Sequence, residues 1–168
     1  EEELGDSGGL SRGSISIGAT ETALNIFLLE KLKSFHMKYP GIRLKLYNHS
    51  TPQAVEAVKS GKIEFAVVTT PVEMKPPLKK IVLQSFREIL VGGKTFTALG
   101  SQVLSLAEVK NYPMICLGRE TMTYQFYSQF FLKHCLELTP DTEVATTDQM
   151  LPLVKNELGL AFLPEKIA

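Results

Sequence analysis

Tryptophan is absent from this 168-residue chain, and cysteine occurs only twice. Cys116 and Cys135 cannot build the disulfide framework of a small secreted domain. Cys116 falls in the apolar run 113–117 and Cys135 ends an aromatic-rich helical stretch, so both are expected to be buried free thiols. His36, His49 and His134 share no ligand spacing with either thiol, so no metal site is read. Net charge is lacking too: 18 Lys and Arg balance 18 Asp and Glu, and no global field draws the chain to nucleic acid or an anionic membrane. No apolar run approaches the ~20 residues of a membrane span. The opening Glu1-Glu2-Glu3-Leu4 lacks the basic and apolar regions of a secretory signal. Short repeats and low-complexity tracts are missing. So are a Gly-x-Ser-x-Gly elbow, a Walker loop, a His-Glu-x-x-His pair and a glycine-rich dinucleotide turn after the first strand. Asp141 and Glu143 are expected in a loop with no base beside them. The chain reads as neither an enzyme nor a cofactor protein.

What remains is an ordinary globular composition, 44% hydrophobic and 21% charged, with one informative pattern. Three times between Ser14 and Pro71 an apolar strand runs into a short hydroxyl-rich turn. The junctions are Ala19-Thr20-Glu21-Thr22, His49-Ser50-Thr51-Pro52 and Thr69-Thr70-Pro71. If the strands are parallel neighbours, all three turns leave the same edge of one sheet. Open α/β sheets hold their ligands at that edge, where free N–H groups and positive helix ends face the guest.

The order of elements supports an α/β fold. Residues 1–12 are acidic, rich in glycine and serine and without periodicity, as in a linker. Ser14–Ala19 alternates as a strand, and Glu21–Tyr39 repeats apolar residues at helical spacing until Pro40-Gly41. Arg43–Asn48 alternates again, Pro52–Ser60 is a helix capped by Gly61, and Ile63–Val68 is a strand covered on both faces. Ile81–Val91 reads as a long extended run. The βα rhythm then restarts with helix Ser105–Asn111, strand Met114–Leu117, helix Thr121–Cys135, strand Glu143–Thr146, helix Asp148–Glu157 and strand Leu160–Leu163. Two lobes with a cleft between them follow: residues 13–89 and 90–162, with 163–168 starting a return to the first. The absence of a closing helix suggests a fragment.

Gly13-Ser14-Ile15-Ser16-Ile17-Gly18-Ala19-Thr20 resembles the opening of the effector-binding domain of LysR-type transcriptional regulators. Leu28-Leu29-Glu30-Lys31-Leu32 through Phe35, Tyr39-Pro40-Gly41 and Leu44 fits that family's first helix and second strand. Val55-Glu56-Ala57-Val58 with Gly61-Lys62-Ile63-Glu64-Phe65-Ala66-Val67 is similar to its next helix and strand. Ser105-Leu106-Ala107-Glu108-Val109 before Pro113-Met114-Ile115, and Met150 to Gly159-Leu160-Ala161-Phe162-Leu163-Pro164, continue the match in family order. The resemblance implies a type 2 periplasmic-binding-protein-like fold of two α/β lobes. It also implies a small-molecule effector (an anion, carboxylate or amino acid) held between them, a cytoplasmic homodimer or tetramer, and DNA contact only through an N-terminal winged helix-turn-helix that residues 1–12 are too short to contain. A transporter's solute-binding protein would share fold and cleft.

Each candidate contact carries two readings. Thr20 and Thr22 flank Glu21 at a strand–helix junction, where one hydroxyl caps the helix and another is free to face a ligand. Glu21 either points outward or selects an amine. Ser50 and Thr51 before Pro52 are cap chemistry and an anion-ready helix start together. Thr69 and Thr70 are a threonine-rich strand exit in either case. In the second lobe, Arg119 either forks onto a carboxylate or is an exposed surface residue. Thr121, with Thr123 behind it, is the expected hydroxyl contact there, and Asp148 is expected to cap the next helix. The aromatic surplus of Thr121–Cys135 (Tyr124, Phe126, Tyr127, Phe130, Phe131) suggests a second buried surface such as a dimer contact.

Overall fold

The computed structural model describes residues 13–168, so the linker expected at Glu1–Arg12 lies outside the described residues. Contacts divide the chain into two compact units, the first ending at Thr69 and the second running from Thr70 to Ala168.

In the first unit, β1 (Gly13–Ala19) is the middle strand of a parallel sheet ordered β2-β1-β3, with β2 at Ile42–Asn48 and β3 at Phe65–Val67. The register runs from Gly13 opposite Ile42 to Ala19 opposite Asn48, while Ala19 also faces Val67. Ile17 and Ala19 point to one face, where they pack with Ala23, Leu28 and Val67. That cover is a segment of three parts: α1 (Glu21–Ala23), a π-helical turn at Leu24–Leu28, and α2 (Leu29–Lys38). The helix expected over Glu21–Tyr39 is therefore present but widened in its second turn. α3 (Thr51–Lys59) packs against β1 and β3, burying Ala54 and Ala57. Gly61 ends it at φ +70°, a conformation that glycine adopts without the steric cost of a Cβ.

The second unit opens with an irregular stretch. Only Glu88–Val91 of the expected 81–91 strand forms β4. Its partner β7 (Ala161–Pro164) is four residues long, so only four residues find a ladder. Lys94–Ser101, unassigned in the sequence, is a 3-10 helix whose Lys94 and Thr95 N–H groups donate to the Glu157 carboxylate at 2.9 Å each. α4 (Leu106–Val109) starts on the expected Ser105 cap, with Ser105 N–H donating to Glu108 at 2.8 Å. β5 (Ile115–Leu117) and β6 (Thr142–Val144) pair in parallel, and a bridge between Met114 and Leu160 links this pair to β7. α5 (Met122–Lys133) and α6 (Thr147–Lys155) cover the strands. Phe131, Leu160, Ile115 and Val154 are almost wholly buried between them.

Three side chains differ from their sequence reading. Glu143 lies in β6 and not in a loop, whereas Asp141 stands in the loop expected of it and accepts the Met114 N–H at 2.9 Å. Asp148 sits inside the first turn of α6; the cap is Thr146, whose hydroxyl donates to Asp148. Cys116 is buried as expected, but Cys135 is exposed. The helix has already ended at Lys133, and Cys135 takes φ +58°. Its N–H bonds to Leu132 O at 2.9 Å and that of Leu136 to Phe131 O at 3.0 Å, a Schellman ending that turns the thiol off the buried face. Burial also pushes the Cys116 thiol up to about 11. The native chain is therefore expected to react with a thiol reagent at mild alkaline pH at Cys135 alone, and at Cys116 only after denaturation. Rapid reaction of both thiols in the native protein would contradict this placement.

Candidate functional site

The candidate site begins where the strands of the first unit end. Thr20 N–H donates to Val67 O at 3.1 Å, and His49 N–H donates to Ala19 O at 3.0 Å. These bonds carry the ladder one residue past the strands and hold their ends level. The exits at Thr20–Thr22, His49–Thr51 and Thr69 thus share one edge of the first unit, as the parallel arrangement predicts; Thr70 is the first residue of the second unit.

The caps are real. Thr20 Oγ1 accepts the Ala23 N–H at 3.3 Å, which uses one acceptor position of a hydroxyl that also carries a donor. Glu21 and Thr22 stand half-buried in the turn that follows, and Glu21 Oε2 has no contact with solvent. Ser50 is the N-cap of α3, and its N–H donates to Gln53 Oε1 at 2.9 Å. Thr51 is only 5% exposed; its hydroxyl donates to Thr69 O at 3.4 Å and ties the second exit to the third. Pro52 brings no N–H to the start of α3, the Gln53 N–H faces the Ser50 side chain and the Ala54 N–H bonds to Ser50 O at 2.9 Å, so what this start offers a guest is chiefly its positive dipole end.

The second unit has its own pair of exits. Gly118 N–H donates to Val144 O at 3.0 Å, so the turns after β5 and β6 also leave one edge. Thr121 caps α5: its hydroxyl donates to Gly118 O at 2.8 Å and accepts the Tyr124 N–H at 3.1 Å. Its donor is thus spent within the turn, which favours Thr123 and the backbone as donors to a guest. Arg119 is exposed, and its Nε lies 3.3 Å from Glu143 Oε1. Surface pairs of this kind contribute about 0–1 kcal/mol, so a ligand carboxylate can replace the partner at little cost. Thr147 begins α6 and is buried.

Sequence reasoning passed over one polar pair. The Tyr127 hydroxyl donates to Glu88 Oε2, joining α5 to β4. Burial raises the Glu88 carboxyl, opposed by this hydrogen bond, and burial beside Glu88 raises the Tyr127 phenol far above its ordinary range. The signal in the sequence is the charged pair Arg87-Glu88 breaking the extended run 81–91. Among the described residues, no cluster of three or more His, Cys, Asp or Glu side chains could hold a metal ion. No helix among them is long and apolar enough to cross a membrane.

Fold and site define an α/β ligand-binding domain with polar strand exits. The LysR substrate binding domain family model matches residues 8–168, and the chain belongs to that family. The transcriptional activator CmpR of Synechocystis sp. is 22% identical over 97% of this chain and 53% of its own length. The chain thus spans about half the length of the curated relatives it matches. The cofactor-binding domain of the Cbl transcriptional regulator superposes with a TM-score of 0.82 at 17% identity, over 93% of this chain and 68% of that one. The effector-binding domain of QuiR, solved with shikimate, gives 0.79 at 17% identity over 92% and 75%. These likenesses show the type 2 periplasmic-binding-protein-like fold.

Proposed function

We propose that this chain is the effector-sensing part of a cytoplasmic LysR-type transcriptional regulator. It holds a small polar or anionic metabolite and does not transform it. The observation that carries the reading is the level alignment of hydroxyl-bearing exits on one edge of the first unit, matched by a second set after β5 and β6. In the first unit the proposed contacts are Thr20, Ser50, Thr51 and Thr69, with Glu21 and Thr22 beside them. In the second unit they are Arg119, Thr121 and Thr123. Residues 70–89 serve as the crossover that begins at Thr70.

Hydroxyls, helix N-termini and an arginine favour oxyanions and carboxylates. The shikimate bound by the effector domain of QuiR is a ligand of that chemistry. Capture biases the lobes toward one arrangement, only as far as the ligand's affinity for the two arrangements differs. A dimer or tetramer passes that bias to DNA-binding heads outside this chain. The exposed Phe126 and Phe130 of α5, with the outer face of α2, are the surfaces proposed for the dimer.

A thermal-shift screen of sulfate, small carboxylates including shikimate, and amino acids tests the reading. A hit is expected to weaken about tenfold in Thr20→Ala and Thr51→Val, each of which removes one hydrogen-bonding hydroxyl. Thr121→Ser keeps the cap and serves as the second-unit control. Undiminished binding in both first-unit variants would place the pocket elsewhere.

A further inference from the structure

Tyr127 is where α5 is fastened to β4. It is 9% exposed, its ring stacks on Phe162 at 5.0 Å and 21°, and Phe126 meets it edge-on at 5.4 Å. Its hydroxyl donates to Glu88 Oε2. The receiving strand is itself held fast. Glu88 pairs with Pro164 of β7, the preceding Arg87 O accepts the Glu165 N–H at 2.9 Å, and the Arg87 guanidinium binds the Glu165 carboxylate at 2.9 Å.

The first turns of α5 border a small opening lined by Cys116, Leu117, Thr123, Tyr124, Tyr127 and Met150, so Thr123 and Tyr127, one turn apart, stand on the same side of the helix. The first turn is held by its own cap at Thr121, and the next polar fixed point along the helix is Tyr127.

We propose that Glu88 and Tyr127 are positioning residues: their hydrogen bond sets α5 against β4 and thereby places Thr121 and Thr123 for the effector. The functional half of this inference rests on the reading that the start of α5 contacts that effector. An apolar pair could hold the two elements together, but it would not fix one direction as a donor–acceptor pair does. Direction is what a ligand-contacting turn needs from its support. Cys116 is the other ionisable group that faces the tyrosine, and it is held as a thiol.

The test compares the parent chain with Y127F, E88L and E88Q. Y127F keeps the ring and its stacking, E88L removes the acceptor, and E88Q retains an acceptor oxygen. Amide exchange is followed at Tyr124 and Gln125, whose N–H groups bond to Thr121 Oγ1 and Thr121 O at 3.1 Å each. Exchange at these two amides is expected to rise about tenfold in Y127F and E88L and to return toward the parent rate in E88Q. Ala54 of α3 is expected to keep its rate in all four. Parent rates in Y127F, or a uniform rise across β5, α5 and α6, would overturn the proposal, the latter because it marks a general loss of stability. If E88L fails to fold, Y127F decides. Sulfate is titrated in parallel as the probe anion, with the same tenfold loss and E88Q rescue expected. If sulfate does not bind the parent, the effector reading fails for that anion, while the exchange result still decides whether the pair positions the helix.

Discussion

Replacing Phe131 with alanine is expected to lower the melting temperature by about 10 °C or more. Phe131 is 1% exposed, the largest side chain buried to that degree among the described residues. It stands on α5 within a cluster of Val109, Met114, Cys116, Tyr127, Leu138 and Leu160, so it joins α5 to α4, to β5 and to the edge of β7. Truncation removes the transfer free energy of the ring and leaves a void that the surrounding strands can only partly fill. Phe→Ala changes of this kind cost about 3–5 kcal/mol. In a chain of this size each kcal/mol moves the midpoint by roughly 2–4 °C. Calorimetry or circular dichroism on the purified variant reads the shift directly. A change under ~3 °C would mean that α5 is not packed as described. Phe130, the adjacent and exposed ring, is the matched control: Phe130→Ala should stay within about 1 kcal/mol.

The contrast between Phe130 and Phe131 also measures what the sequence could reveal. Five aromatic residues on one helix announced more than one apolar face, but not which rings turn inward. The strands of the first unit were legible because alternation and hydroxyl-rich exits point the same way: Ile15, Ile17 and Ala19 mark one face, and Thr20 marks the end. The caps at Thr20, Ser105 and Gly61 were legible for the same local reason. Long-range features were not. Ile81–Leu83 has the apolar character of a strand, yet the ladder begins only at Glu88, because β7 offers four residues and no more. The bond between Glu88 and Tyr127 joins residues 39 apart in sequence, and no spacing rule connects them. Cys135 was misplaced because its helix ends without the usual glycine. A cysteine takes the left-handed position, and the sequence carries no mark of it. The hydroxyls of the candidate site were found by type and position. Their partners needed coordinates: that Thr121 has already given its proton to Gly118 alters what it can offer a ligand.

Gly159→Ala is expected to be nearly as damaging as Phe131→Ala, although it adds one methyl group to a turn. Gly159 adopts φ +156°, and a Cβ there would lie 2.5 Å from Pro113 O and 2.9 Å from Pro113 C. Both are backbone atoms, so no flexible side chain can move aside. The same carbonyl accepts the Leu160 N–H at 2.8 Å, and Leu160 O accepts the Ile115 N–H at 2.8 Å. Relief of the clash must therefore stretch the hydrogen bonds that join β5 to β7. Overpacking costs about 1–3 kcal/mol, and a strained backbone position adds a similar amount. A loss of about 3 kcal/mol corresponds to a fall of roughly 6–12 °C. Gly100→Ala is the comparison, since a Cβ on Gly100 meets nothing within 4 Å. If the two alanine variants melt within a degree of each other, the close approach at Pro113 is not what holds the two strand pairs of the second unit together. If Gly159→Ala alone falls, the glycine between α6 and β7 is there to admit a neighbouring backbone, and the edge from which Gly118 and Thr121 emerge depends on it.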